Sequence, residues 1–264
     1  MTVHDNGADF ASQLGLPETG VVITGGASGI GLATAHALAA VGRPVALWDI
    51  NAEGAEGAAR IIADRYGVRT AGLAVDLRNS QAVAPAAIAT REALGTVGGI
   101  VHGAGTAEVT GIDGVTPDNW DAGLGLHARA LLLITQAFRE DLRANPGSAI
   151  VAIASINATL GNGTIPIYSA AKGAIISLVR SMADELAFDG VRINSVSPGQ
   201  IDTPIMANTK AHLPGHFERR ILLGRYGLPE ELGRVIRFLL SNEASYITAS
   251  QILVDGGNIH SQRQ

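Results

Sequence analysis

The stretch Val21-Val-Ile-Thr-Gly-Gly-Ala-Ser-Gly-Ile-Gly31 decides the reading of the fold. A β-branched apolar run leads into glycines at 25, 26, 29 and 31, and a helical pattern follows from roughly Ile30 to Val41. Gly25 suits a tight turn, while Gly29 and Gly31 let backbone and ligand approach closely. Free N–H groups and the dipole at the helix N-terminus favour an anion such as a pyrophosphate. The next apolar run, Pro44-Val-Ala-Leu-Trp48, ends at Asp49. A carboxylate about twenty residues past such glycines can hydrogen-bond both hydroxyls of an adenosine ribose and repel a 2′-phosphate, which favours NAD. The plainer reading of Asp49 is a helix N-cap ahead of Ala52.

Outward from this stretch the chain alternates strand and helix. Apolar runs near 20–24, 44–48, 71–75, 98–102, 148–154, 191–196 and 251–254 read as strands. Helical patterns lie between them, over Ala52–Tyr66, Ser80–Leu94, Pro117–Arg143, Ile167–Asp189 and Pro229–Leu240. Short continuous apolar strands alternating with helices predict an α/β fold, a parallel sheet covered on both faces. The expectation is one Rossmann-type domain over 18–257 with a doubly wound seven-stranded sheet, a loose arm at 1–17 and a polar tail at 258–264. Ligand is expected outside the carboxyl ends of the strands.

A second motif lies at one of those ends. Tyr168-Ser-Ala-Ala-Lys172 places a phenol and an ammonium one helical turn apart, and Ser155 follows the strand run Ala149–Ala154. A neighbouring cation favours the phenolate, so the pair predicts a lowered Tyr168 pKa and proton exchange with an alcohol or ketone. The Ser155 hydroxyl is placed to bond the substrate oxygen.

Together these motifs resemble the short-chain dehydrogenase/reductase family over roughly 18–257, with 3-oxoacyl-carrier-protein reductases among the similar members. Thr24-Gly25-x-x-x-Gly29-x-Gly31, Asp49, Asp76-Leu77, Gly103-Ala104-Gly105, Ser155, Tyr168 and Lys172 match its cofactor and catalytic signatures. Asn194-Ser-Val-Ser-Pro198-Gly199 and Val254-Asp255-Gly256-Gly257 match its late ones. The resemblance implies NAD contacts from Thr24, Gly25, Ser28, Gly29, Ile30, Gly31, Asp49, Ile50, Asp76, Leu77, Gly103, Ala104, Gly105, Tyr168, Lys172, Pro198, Gly199, Ile201 and Thr203. Ser28 lacks the basic charge that NADP-preferring relatives often carry. Tyr168 is then the acid/base, Lys172 holds the nicotinamide ribose, and Thr203 bonds the carboxamide.

Two positions depart from the family pattern. His102 stands where the family has the first Asn of Asn-Asn-Ala-Gly, which predicts the loss of hydrogen bonds that steady the central sheet. His127 aligns with the family's fourth catalytic residue, an Asn of the proton relay. A neutral imidazole both donates and accepts, so His127 either substitutes in the relay, slows it or makes it pH-sensitive, or is a satisfied structural histidine. Substrate contacts are expected from Ser155, Asn157, Tyr168 and Met206. The last belongs to a long connection over 200–226 that also holds His212, Leu213, Pro214, His216 and Phe217 and reads as a lid.

Composition narrows the class. The 264 residues are 47% hydrophobic, include 33 glycines and no cysteine, and carry a net charge of -5. That balance gives no reason to expect nucleic acid or an anionic membrane as partner. Disulfide and thiolate chemistry are excluded, no metal site is expected, and no apolar stretch approaches a membrane span. A cytoplasmic location is the default in the absence of a signal-peptide pattern. The resemblance implies a homotetramer or homodimer acting on a small alcohol or ketone. Three functions compete: an NAD-dependent secondary-alcohol dehydrogenase, a 3-oxoacyl-thioester reductase, and an NAD-binding sensor or scaffold with weakened catalysis. Asp49 and the few basic residues near the lid favour the first, and the intact Ser155, Tyr168 and Lys172 oppose the third.

Overall fold

A computed structural model describes residues 10–213 and 215–263. In chain order its main elements are β1 (Gly20–Thr24), α1 (Gly29–Ala39), β2 (Val45–Asp49), α2 (Ala52–Tyr66), β3 (Thr70–Ala74), α3 (Val83–Leu94), β4 (Val97–His102), α4 (Pro117–Leu124), α5 (Ala130–Ala144), β5 (Ala149–Ile153), α6 (Asn157–Leu160), α7 (Pro166–Phe188), β6 (Arg192–Pro198), α8 (Ala207–His212), α9 (Pro229–Leu239) and β7 (Gln251–Val254). The strands form one seven-stranded sheet in the order β3-β2-β1-β4-β5-β6-β7. Every pairing is parallel. Direction of winding reverses between β1 and β4, where ligands of doubly wound sheets bind.

Each central strand is apolar on both sides because both faces of the sheet are covered. One core packs Trp48, Phe138, Leu131 and Ile175 between the sheet and α3, α5 and α7. The other packs Ile23, Leu38, Leu47, Ile62 and Ile236 between the sheet and α1, α2 and α9. Two polar side chains inside these layers are paired: Trp48 Nε1 donates to Thr90 Oγ1 at 2.9 Å, and Thr90 donates to the Ala86 carbonyl. Below the sheet, the fully buried Arg43 guanidinium donates to the carbonyls of Thr19 and Leu240 and to Thr19 Oγ1. Burial and the nearby Arg192 lower its pKa to about 10. This hydrogen bonding satisfies a charge at the end of the fold opposite the cleft.

Two expectations need correction. The helical run over 117–143 is interrupted: Gly125–Arg129 is a π-helical turn between α4 and α5, with the Ala130 N–H bonded to the Gly125 carbonyl. Nor is the described part of the N-terminal arm, 10–17, loose. Ser12 Oγ and the Gln13 N–H donate to Glu243, and the Asn242 N–H donates to the Leu16 carbonyl at 3.0 Å. Its partners lie about 230 residues away in the chain, beyond the reach of a local reading. In the tail, the Arg263 guanidinium donates to the carbonyls of Ile221 and Leu222. Among the described residues no helix is long and apolar enough to cross a membrane.

Candidate active site

A cleft of about 570 Å³ runs along the carboxyl ends of the strands. Its first wall is the β1–α1 turn. Gly25 and Gly29 have φ of +68° and +53°, a region that favours glycine, and a Cβ on Gly31 would lie 2.1 Å from the Gly25 carbonyl oxygen. Ser28 at the α1 N-cap makes no side-chain capping bond, so the first N–H groups of the helix remain open toward the cleft. Asp49 ends β2 beside them. Its Oδ2 accepts from the Ala27 N–H and its Oδ1 from the Asn51 N–H, both at 3.0 Å. The carboxylate therefore fixes the glycine turn as well as facing the cleft. Ile50, Asp76 and Leu77 continue this end, where Arg78 pairs with Asp76 at 2.8 Å.

Thr24 is the one cofactor residue expected from the sequence that does not line the cleft; it is fully buried beneath it. Its Oγ1 accepts the N–H groups of Gly103 and Ala104, each at 3.1 Å. The hydroxyl proton is thus left for His102 Nδ1 at 3.0 Å, and His102 donates from Nε2 to the His127 carbonyl at 2.8 Å. Each bond selects the next donor, which fixes the neutral Nε2–H tautomer of His102. Burial, with the Lys172 charge, lowers the His102 pKa to about 4. The expected loss of sheet-steadying bonds at position 102 is therefore corrected: the imidazole ties β1, the 103–104 backbone and the π turn together. A side chain bonding a helix carbonyl is also an identifiable cause of a broken helical ladder, and the bonded carbonyl belongs to the π turn itself.

His127 is buried in that turn. Its Nε2 donates to the Thr106 carbonyl at 3.1 Å, which leaves Nδ1 as a buried acceptor without a hydrogen-bond partner among the described residues. A Cβ at Gly105 would stand 2.2 Å from His127 Cε1, so the glycine makes room for the ring. Burial first, then the Lys172 charge, lowers the His127 pKa to about 3. Burial thus favours the neutral ring at neutral pH.

Beside it stand the three residues of the second motif. Ser155 is buried just past β5, its Oγ accepting the Asn157 N–H at 3.1 Å, and its hydroxyl favours the ionised Tyr168 phenol. The Tyr168 ring meets His127 edge-on at 5.7 Å. One turn along α7, Lys172 is buried and donates from Nζ to the Ile153 carbonyl at 2.7 Å. Burial lowers its pKa to about 7. The Tyr168 pKa moves opposite to the sequence expectation: burial raises it, and the Ser155 bond offsets that only in part. The reason is geometric. Lys172 Nζ lies 5.5 Å from the ring centroid, over the ring, and its own charge is weakened by the same burial.

Pro198, Gly199, Ile201, Thr203 and Met206 close the other wall, and Asn157 lies past Ser155. Of the lid residues read from the sequence, Met206 reaches the cleft; His212, Leu213, His216 and Phe217 do not line it, and Pro214 lies outside the described residues. Sequence reasoning missed Arg78, Thr106, Glu108 and Ile165, which also line it, as does Gln200 at the start of the expected lid. Arg78, Thr106 and Glu108 sit in the connections after β3 and β4 and Ile165 just before α7, all without a periodic signal.

This arrangement brings a glycine turn and a buried Ser-Tyr-Lys cluster into one cleft, and the chain belongs to the short-chain dehydrogenase/reductase family, oxidoreductases of alcohols and ketones that use a nicotinamide cofactor. Residues 25–258 match the family model described as enoyl-(acyl carrier protein) reductase. Among its relatives, the probable galactose dehydrogenase GalD of Rhizobium meliloti is 34% identical over 245 residues, 92% of this chain and 95% of the relative. The 3-oxoacyl-[acyl-carrier-protein] reductase FabG of Chlamydia muridarum is 30% identical, covering 89% of this chain and 95% of its own. The L-sorbose reductase of Gluconobacter frateurii, solved with NADPH and L-sorbose, superposes with a TM-score of 0.89 at 30% identity, over 93% of this chain and 98% of that one.

Proposed function

We propose that this chain is an NAD-dependent secondary-alcohol dehydrogenase with Tyr168 as its acid/base. The observation that carries this reading is the buried cluster of Ser155, Tyr168 and Lys172 at the end of a cleft whose other end is the glycine turn and Asp49. The residues fit a dinucleotide: Gly25, Gly29 and Gly31 keep the turn tight, and open helix N–H groups face the cleft. Gly25 to Gly31 would hold the pyrophosphate, Asp49 the adenosine ribose, Asp76 and Leu77 the adenine, and Lys172 and Thr203 the nicotinamide end. When bound, that group supplies the hydride acceptor or donor. Asp49 favours NAD because a 2′-phosphate would meet its carboxylate, and Arg78, the cation at that end, is already paired with Asp76.

The chain's own residues handle the proton. Ser155 hydrogen-bonds the substrate oxygen and fixes it against Tyr168. The Tyr168 phenol holds its proton in the resting state, since burial raises its pKa, and gives that proton to a ketone oxygen. In the opposite direction the same oxygen, deprotonated, takes the carbinol proton. Lys172, held by the Ile153 carbonyl, places a positive charge below the ring. His127 keeps a neutral acceptor beside the ring for proton traffic.

Calorimetric titration with NADH and NADPH, followed by turnover of Tyr168→Phe, tests this reading. NADH is expected to bind more tightly, and the variant to bind NADH as the wild type does with no turnover. Tighter NADPH binding would overturn the cofactor assignment, and near-normal turnover by Tyr168→Phe the acid/base.

A further inference from the structure

The cleft is lined by polar side chains that the fold itself does not use. Asn119 lines the cleft, but its amide is spent on the Gly114 carbonyl and the Thr116 N–H. Glu108, Asn157 and Gln200 also line it, and their side chains make no hydrogen bond or ion pair among the described residues. Glu108 is held in place on both sides. The Thr106 carbonyl before it is bonded by His127, and the N–H groups of Thr110 and Gly111 after it donate to the Thr164 carbonyl, each at 3.1 Å. This loop thereby joins the β4 end to the turn before α7 and holds position 108 at the cleft.

Among the described residues no cation pairs with Glu108. Lys172 lies buried with its bond to Ile153, and Arg78 is paired with Asp76 at the adenosine end. Lys210 of the lid pairs with Asp202 at 2.7 Å, and Arg225 pairs with Glu231 at 2.8 Å. Arg219 and Arg220 do not line the cleft. A substrate with a carboxylate, phosphate or nucleotide-bearing thioester would bring a like charge to Glu108 and leave its own unmatched. A hydroxyl, by contrast, donates a charge-assisted bond to a carboxylate, and amides both donate and accept.

We propose that the substrate is a neutral polyhydroxylated alcohol or its ketone, an alditol or ketose, with Glu108, Asn157 and Gln200 bonding hydroxyls beyond the reacting carbon. Glu108 is the specificity-determining residue. This inference rests on the oxidoreductase reading above and leaves its hydride and proton balance unchanged. Apolar Ile165 and Met206 meet the carbon skeleton on the remaining wall.

The test uses the full chain with NAD and compares kcat/KM for xylitol, D-glucitol and galactitol with cyclohexanol and 3-hydroxybutyryl-coenzyme A. Binding of the same alditols to Tyr168→Phe with NADH is read separately by saturation-transfer NMR. At least one alditol is expected to exceed both comparison substrates, and Glu108→Gln to raise its KM about tenfold more than that of cyclohexanol. Preference for cyclohexanol or the thioester would overturn the proposal. So would equal effects of Glu108→Gln on alditol and cyclohexanol. Alditol binding without turnover of any substrate would support the recognition and overturn the dehydrogenase reading. Neither binding nor turnover would overturn both.

Discussion

Lys172→Met, in the chain without cofactor, is expected to stabilise the fold while removing the proposed activity. Lys172 is 4% exposed, and its ammonium donates to the Ile153 carbonyl. Burial takes its pKa from 10.5 to about 7, a difference of about 3.5 units. At ~1.4 kcal/mol per unit, the charged form costs about 5 kcal/mol wherever both states are protonated, below pH 7. Removing the ammonium leaves the Ile153 carbonyl unmet and returns ~1–3 kcal/mol of that. The net gain is about 2–4 kcal/mol, or roughly 4–7 °C in Tm for a chain of this size. The pH dependence identifies the cause. Between pH 7 and 10.5 the unfolded lysine holds a proton that the folded one has released, so wild-type stability rises with pH across that window. The advantage of Lys172→Met should shrink by ~1.4 kcal/mol for each pH unit above 7. Urea denaturation of both proteins at several pH values from 6 to 9 measures this directly. A difference independent of pH, or a variant less stable throughout, would refute the reasoning.

The remaining predictions concern the same cleft. His102 and His127, with pKa values of about 4 and about 3, bind protons less readily than in the unfolded chain, so stability should fall as pH drops below 6.5. The slope is ~1.4 kcal/mol per pH unit for each residue, and His102→Asn with His127→Asn should flatten it in acid denaturation curves; an unchanged slope would show that carboxylates dominate. Asp49→Ala removes the acceptor of the Ala27 and Asn51 N–H groups and the charge facing a 2′-phosphate. Its calorimetric NADH/NADPH affinity ratio should fall by about tenfold or more, whereas an unaltered ratio would remove Asp49 from selectivity. Gly31→Ala forces a methyl against the Gly25 carbonyl; a loss of ~1–3 kcal/mol and a smaller Tm rise on adding NADH are expected.

Much of this architecture was legible in the chain. Parallel strands buried on both faces need continuous apolar runs, and such runs marked all seven within a residue or two. The glycines at 25, 29 and 31 and the spacing of Tyr168 and Lys172 are local features, set by turn geometry and the pitch of one helix. The residues they single out line one cleft in the structure.

What the tertiary structure alone decided involves partners distant in the chain or the loss of water. Thr24 and His102 are 78 residues apart, and His102 and the His127 carbonyl 25. Only the adjacency of β1 and β4 brings them together and turns an apparent loss at position 102 into a bonded link with the π turn. The spacing of Tyr168 and Lys172 was local, but the direction of their pKa shifts was not. Burial disfavours the charged form of each, and burial is set by how α7 packs on β5 rather than by the two residues themselves. Glu108 likewise carries no periodic signal. Its place at the cleft comes from bonds made on either side by His127 and Thr164, which no window of sequence around it contains.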